Sequence, residues 1–355
     1  MKSASLIAAA AALCGLAASP AAAARLSDAQ IAALYPRQHQ PAAAAAKRLL
    51  TPRDASQSLR DAAAARGLFI GSAIDENYIR NTSEPYGALA ASTFNMFEAE
   101  NACKFQPTEP QQGQYALTEC LWDANFSASV GPSAFRTHNL VWGSYNPNWL
   151  LNGGFSPAQL SAFSAAHMAA LGAALSGSSY AVDVVNEAIA DGSGSDVFKA
   201  SPPWYPALPN YVHDAFIAAR QAFPAPVKLF YNEYGAEGLG VKSDKVYNMV
   251  KGFVAAGVPI DGVGLQMHIS VDAFPSKADV SANMQRLVAL GLEVHITEMD
   301  VRCAPDAQGN ICGADRLAAQ AAIYGDMLQA CLDNSKPTNP NGRGGCKALQ
   351  VWGVT

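Results

Sequence analysis

Residues 292–301 read LEVHITEMDV. Leu292, Val294 and Ile296 make an apolar run, and Thr297, Glu298 and Asp300 turn its far end polar and acidic. A short apolar run of this kind reads as a buried strand. A carboxylate at the C-terminal end of a buried parallel strand lies where (β/α)₈ barrels hold their reactive groups. A second run of the same design, AVDVVNEAI at 181–189, carries Val182, Val184 and Val185 and closes on Asn186 and Glu187. Two strands that each deliver a glutamate to one rim make an acid/base and nucleophile pair; either glutamate alone would be an ordinary solvated residue.

The same alternation continues through the chain. A helix is expected from Thr51-Pro-Arg-Asp through Leu59 to Arg66-Gly67, with proline in its first turn. Strands are expected at 68–73, 93–97, 134–142, 180–187, 227–233, 262–268, 293–299 and 348–353. Helices are expected at about 115–130, 156–176, 209–222, 243–255, 277–290 and 315–333, with Ser156 as the N-cap of the second. Strands that alternate with helices predict right-handed βαβ units and a parallel sheet. An open doubly wound sheet usually shows a GxGxxG loop after its first strand, and Gly71-Ser-Ala-Ile-Asp has none. Polar residues close seven or eight different strands, so a (β/α)₈ TIM barrel fits better.

Composition narrows the partner. The net charge is -5 and the basic residues are scattered, so no nucleic-acid footprint is expected. Residues 1–24, MKSASLIAAAAALCGLAASPAAAA, read as a secretory signal peptide with small residues near Ala22–Ala24. No second run of about 20 apolar residues follows, so no membrane anchor is expected and the protein is placed outside the cell. Residues 25–50 are alanine-rich, and the catalytic barrel is assigned to 51–355.

Six cysteines remain after the signal, an even count that favours disulfides in an exported chain. They fall into three near-neighbour pairs: Cys103 with Cys120, Cys303 with Cys312, and Cys331 with Cys346. Neither CxxC nor HExxH occurs, so no metal or cofactor is expected. The sequons at Asn81 and Asn125 permit glycosylation. The chain is expected to act as a monomer.

Taken together, the strand ends resemble those of glycoside hydrolase family 10, the endo-β-1,4-xylanases. FNMFEAENACKF is similar to the family's FNxxTxENxMKW, THNLVWGSYNPNW to HTLVWHSQTPxW, and VDVVNEAI to WDVVNEA. FYNEYGAE resembles LYINDYN, GVGLQMHIS resembles GIGxQGHL, HITEMDV resembles ITELDV, and VWGVT resembles the closing WGVTD. The resemblance covers about residues 55–353, and several motifs in the same order are more specific than any one.

The resemblance implies a secreted retaining endo-1,4-β-xylanase that needs no cofactor and acts on xylan or a related β-linked polysaccharide. Glu187 would be the general acid/base and Glu298 the nucleophile, with His268 and Asp300 orienting Glu298. Asn186 would bind the 2-hydroxyl at the cleavage site. Glu100, Asn101, Lys104, His138 and Trp142 would bind sugars on the non-reducing side, with Tyr145, Gln266 and Trp352 completing the floor and wall. A mixture of donors, acceptors and flat apolar rings suits a pyranose, whose edge carries hydroxyls and whose face is apolar.

The departures from the pattern also matter. Phe105 stands where the family has tryptophan, Gly143 where it has histidine, Tyr145 where it has glutamine, and Glu233 where it has aspartate. The family's pattern runs on to a last helix beyond Thr355, so the expectation is either that the sequence given is incomplete or that residues 27–50 cover the seam. A retaining β-glucanase is the alternative within the same chemistry. A non-catalytic carbohydrate-binding protein with an incomplete barrel is the alternative of another class.

Overall fold

The computed structural model describes residues 58–303 and 312–354. The expected signal peptide, the alanine-rich segment 25–50 and the start of the first expected helix lie outside the described residues. In chain order the strands are β1 (Phe69–Ile74), β2 (Met96–Ala99), β3 (Ala134–Thr137), β4 (Val141–Trp142), β5 (Ser179–Asn186), β6 (Lys228–Glu233), β7 (Gly262–Leu265), β8 (His268–Ser270), β9 (Glu293–Arg302) and β10 (Gly345–Val351).

Eight of them make one parallel sheet in the order β10-β1-β2-β3-β5-β6-β7-β9, and β10 also pairs with β9. The sheet is therefore a closed (β/α)₈ barrel. Closure rests on the parallel pairs from Phe69↔Ala348 to Ser72↔Val351 on one side of β10 and from Gly345↔Glu293 to Val351↔Met299 on the other. The backbone groups of β1 and β9 that would otherwise form open edges are thereby paired. The described residues show no helix after β10, and the seam closes through the strand itself.

Burial explains why the strands read as nearly continuous apolar runs. Val182, Val184 and Val185 are all fully buried because one face of β5 meets the interior of the barrel and the other meets the helices. The helix Pro157–Leu175 supplies part of that outer layer. Ser156 caps it by accepting from the Gln159 amide, and the Gln159 side chain accepts from the Ser156 amide in return. This helix is long and apolar enough to cross a membrane, but Leu160, Met168, Leu171 and Leu175 belong to the core.

Some expectations need correction. Thr93 ends a helix, Tyr86–Thr93, so the second strand begins at Met96. The first described helix runs over Leu59–Ala64 behind an extended N-cap, Ser58, whose hydroxyl accepts from the Asp61 amide. The expected strands 134–142 and 262–268 are each split in two. The first break contains a cis His138–Asn139 peptide and the second contains Met267 at φ 64°. The outer pieces, β4 and β8, pair with β5 and β9 and extend the rim.

All three expected disulfides are formed, with Cα–Cα distances of 4.8, 5.7 and 5.2 Å for Cys103–Cys120, Cys303–Cys312 and Cys331–Cys346. These lie within the usual range for a disulfide. Cys103 fixes the turn after β2 to the helix Thr118–Ser129, and Cys331 fixes the helix Ala314–Asp333 to β10. Both sequon asparagines, Asn81 and Asn125, are exposed.

Candidate active site

Glu187 and Glu298 follow β5 and lie within β9, and the structure joins them through a buried amide network. Asn232, at the end of β6, donates to Glu298 Oε1 at 2.7 Å and to Asn186 Oδ1 at 2.9 Å. Gln266 donates to both Asn186 Oδ1 and Glu187 Oε1 at 3.1 Å. Thr297 donates to Asn232 Oδ1 at 2.8 Å and so fixes which way that amide faces. Three amides from three strands thus connect the two carboxylates.

The second oxygen of each carboxylate has a different neighbourhood. Glu298 Oε2 lies 3.1 Å from His268 Nε2, and His268 Nδ1 lies 3.1 Å from Asp300 Oδ2. Burial disfavours the charged imidazole, but the bonds to Asp300 and Glu298 outweigh it and raise its pKa to about 10. His268 is therefore an imidazolium near neutrality, donating from both ring nitrogens. Burial also disfavours the Glu298 carboxylate, and here the His268 hydrogen bond, with help from Asn232, holds it below its ordinary range. Glu298 is an ionised carboxylate aimed into a buried site.

A pH prediction follows from these shifts. An imidazole with an ordinary value of 6.5 and a folded value of about 10 contributes stability that is fully present below about 6.5. That contribution falls as the pH rises and is gone above about 10. The stability difference between the wild type and His268→Gln should therefore shrink steadily from pH 7 to pH 10 in urea unfolding experiments. A constant difference across that interval would show that His268 is not the cation described.

Glu187 Oε2 accepts from Trp142 Nε1 at 3.0 Å. Its backbone sits at φ 57°, a left-handed conformation that a residue with a long side chain adopts only when neighbours impose it. The Glu187 amide donates to Asn232 O at 2.9 Å, and the Ala188 and Ile189 amides donate to Tyr231 Oη at 3.0 and 3.1 Å. Glu233 Oε2 accepts from Tyr231 and from the Ile189 amide, while Lys242 Nζ lies 3.0 Å from Glu233 Oε1. The Glu233 carboxylate therefore lies behind the site, as a brace for the turn that aims Glu187.

The expected sugar-facing residues form a wall at the ends of β2, β4 and β10. Lys104 is almost fully buried; it donates to Asn101 Oδ1 at 2.9 Å and lies 5.3, 4.6 and 5.6 Å from the ring centroids of Trp142, Tyr145 and Trp352. Burial lowers its pKa to about 8, against the attraction of Glu298, Glu100 and Glu187. Glu100 is half-buried beside Asn101, and its amide donates to Ile74 O at 2.8 Å. Trp142 and Tyr145 are nearly parallel, 6.0 Å apart, so the departure from glutamine at 145 adds a second flat ring. The Trp352 ring stands edge-on to His138 at 5.5 Å and to His268 at 6.3 Å.

Beneath this wall lies a charged layer. His138 Nδ1 donates to Asp183 Oδ2 at 2.9 Å, and Arg136 binds both Asp183 oxygens and donates to His295 Nδ1 at 3.0 Å. Glu98 accepts from Gln350 at 2.9 Å and lies 3.7 Å from Arg136; burial raises its pKa above the carboxylate range, against the pull of Arg136. Gly71 makes that contact possible, because a Cβ there would lie 2.6 Å from Gln350 Cγ. Glu98, His138 and Asp183 have the spacing of metal ligands, the one such group among the described residues. The Arg136 guanidinium already supplies the positive charge that a cation would bring.

The structure brings Glu100, Asn101, Lys104, His138, Trp142, Tyr145, Asn186, Glu187, Gln266, His268, Glu298, Asp300 and Trp352 to one rim. Asn232 and Lys199 also belong to it. Asn232 ends a buried strand in a polar side chain, the same signal that marked Asn186. Lys199 Nζ lies 3.5 Å from Glu187 Oε2, and nothing in its loop sequence marks it.

Known proteins share this architecture. A family model described as glycosyl hydrolase family 10 matches residues 58–355. Endo-1,4-beta-xylanase D of Talaromyces funiculosus is 34% identical over 303 residues, covering 85% of this chain and 69% of the relative. Endo-1,4-beta-xylanase B of Neocallimastix patriciarum is 36% identical over 266 residues, covering 75% of this chain and 28% of the relative's length. The crystal structure of xylanase 10B from Thermotoga petrophila RKU-1 in complex with xylobiose aligns with a TM-score of 0.76 at 30% identity. That alignment covers 85% of this chain and 87% of the other. With the family model spanning the whole barrel, and with relatives of this identity and a structure of the same shape, the chain belongs to glycosyl hydrolase family 10.

Proposed function

We propose that the protein is an exported endo-1,4-β-xylanase that cleaves internal bonds of xylan by double displacement. In the first step a Glu298 oxygen attacks the anomeric carbon while the Glu187 proton passes to the departing glycosidic oxygen, and the C–O bond breaks. In the second, water attacks the same carbon, gives its proton to Glu187 and releases Glu298 from its ester. Retention requires the two carboxyl groups to lie about 5 to 5.5 Å apart on opposite faces of the sugar ring.

The observation that carries this reading is the division of labour between the two carboxyls. Glu298 is ionised by His268 and Asn232, whereas Glu187 meets Trp142, Gln266 and the cleft. Asn186 lies between them, where it is able to reach a sugar hydroxyl. Lys104, Trp142, Tyr145 and Trp352 offer one cation and three flat rings to the chain of sugars. The curated relatives and the xylobiose complex support xylan as the substrate. The apolar, small-residue segment at 1–24 and the three disulfides support export.

Reducing-sugar release from xylan, cellulose and mixed-linkage glucan tests the assignment. Release from xylan well above the other two is expected. Preferential release from either glucan would reassign the substrate, and no release by folded protein from any of the three would remove the enzyme reading.

A further inference from the structure

Lys199 occupies a position next to Glu187 that the chain builds deliberately. After Glu187 the chain leaves the barrel and returns antiparallel to itself, with Ile189 bridged to Phe198 and the Lys199 amide donating to Ala188 O at 3.0 Å. Lys245 holds the excursion by donating to Asp196 O at 2.8 Å. The next turn, at Ser201, closes onto Gly143, where a Cβ would stand only 3.0 Å from the Ser201 side chain. Absence of a side chain at 143 thus allows this turn to approach the end of β4.

The result is an ammonium on the oxygen of Glu187 that does not face the amide network. Lys199 Nζ lies 3.5 Å from Glu187 Oε2, 3.4 Å from Tyr234 Oη and 4.8 Å from the centre of the Tyr234 ring. The Lys199 and Glu187 side chains are 28% and 15% exposed, so water weakens the pair without abolishing it. Trp142 Nε1 donates to the same oxygen. As the proton leaves Glu187 for the departing oxygen, negative charge develops on a carboxyl whose outer oxygen faces this ammonium.

We infer that Lys199 is a positioning residue that strengthens Glu187 as the general acid, stabilising the carboxylate left when the proton passes to the departing sugar. This inference rests on the roles proposed above for Glu187 and Glu298. Lys199 exchanges no proton itself. Its influence belongs to the bond-breaking step of substrates whose leaving group needs protonation. A leaving group that departs as a stable anion does not require the Glu187 proton and is insensitive to Lys199.

The test compares the single-turnover rate of xylohexaose cleavage with the burst rate of nitrophenol release from 4-nitrophenyl β-xylobioside in the wild type, Lys199→Met, Lys199→Gln and Lys199→Arg, with thermal unfolding recorded for each. Met and Gln variants should lose about three- to fivefold on xylohexaose, the effect of a partly exposed ion pair. They should lose nothing on the nitrophenyl substrate, and Arg should restore the xylohexaose rate. Equal losses on both substrates, no loss on xylohexaose, or a change confined to KM would overturn the inference while leaving the xylanase reading intact. A folded wild type inactive on both substrates would overturn both. If Met disturbs unfolding, the Gln and Arg variants decide.

Discussion

Glu298→Ala should lower turnover on xylan and on activated aryl xylobiosides alike, by about 10⁴-fold or more, the scale reached when a covalent nucleophile is removed. Leaving-group quality gives no rescue, because every substrate needs a bond to the anomeric carbon. The variant also leaves the His268 imidazolium with Asp300 as its carboxylate partner and deprives Asn232 of an acceptor. Thermal unfolding must therefore be measured beside kcat, so that lost chemistry is distinguished from lost structure. Folded Glu298→Ala protein that retains activity within about tenfold of the wild type would remove Glu298 from the nucleophile role.

Glu187→Ala should separate the two halves of the reaction. On xylan the loss should be about 10² to 10⁴-fold, the usual contribution of general acid catalysis. On 4-nitrophenyl β-xylobioside the first step needs no proton, so nitrophenol should still appear rapidly as a burst equal to the enzyme present. Slow turnover should follow, because the base for the second step is missing. A stopped-flow trace without a burst, together with equal losses on both substrates, would contradict the acid/base assignment.

The barrel was legible because parallel strands covered on both faces leave a simple trace: mostly apolar runs such as 262–265 and 292–296 followed by Asn, Glu, Gln or His. Helix positions followed from caps, most clearly Ser156-Pro157 with Gln159. Local chain reversals were less legible. The breaks at 138–140 and 266–267 depend on a cis peptide and a left-handed Met267, and neither has a periodic signature. The helix Tyr86–Thr93 was obscured because Thr93 and Phe94 have strand propensity and precede a true strand.

The site divides along the same line. Residues at strand ends, such as Asn186, Glu187, Gln266 and Glu298, take their places from the barrel, so their positions could be read one strand at a time. Lys199 lies on an excursion, and its place depends on a bridge to Ile189 and on an empty side-chain position at 143. Glu233 stood out in sequence only as a glutamate where the family has aspartate, and its partners are Tyr231, Lys242 and the Ile189 amide, all on the protein's own side.

The cross-link from Cys331 to Cys346 bears on how the cleft wall behaves over time. Strand β10 closes the barrel by pairing with β1 on one side and β9 on the other. With Cys346 held to the helix behind it, a strand that loses its partners swings on a short covalent tether and does not drift away. Its effective concentration at the seam stays high, so reclosure outpaces diffusion. Trp352 directly follows this strand and stands between His138 and His268. In the reduced protein the seam should reclose more slowly, and the rim at Trp352 would move with it.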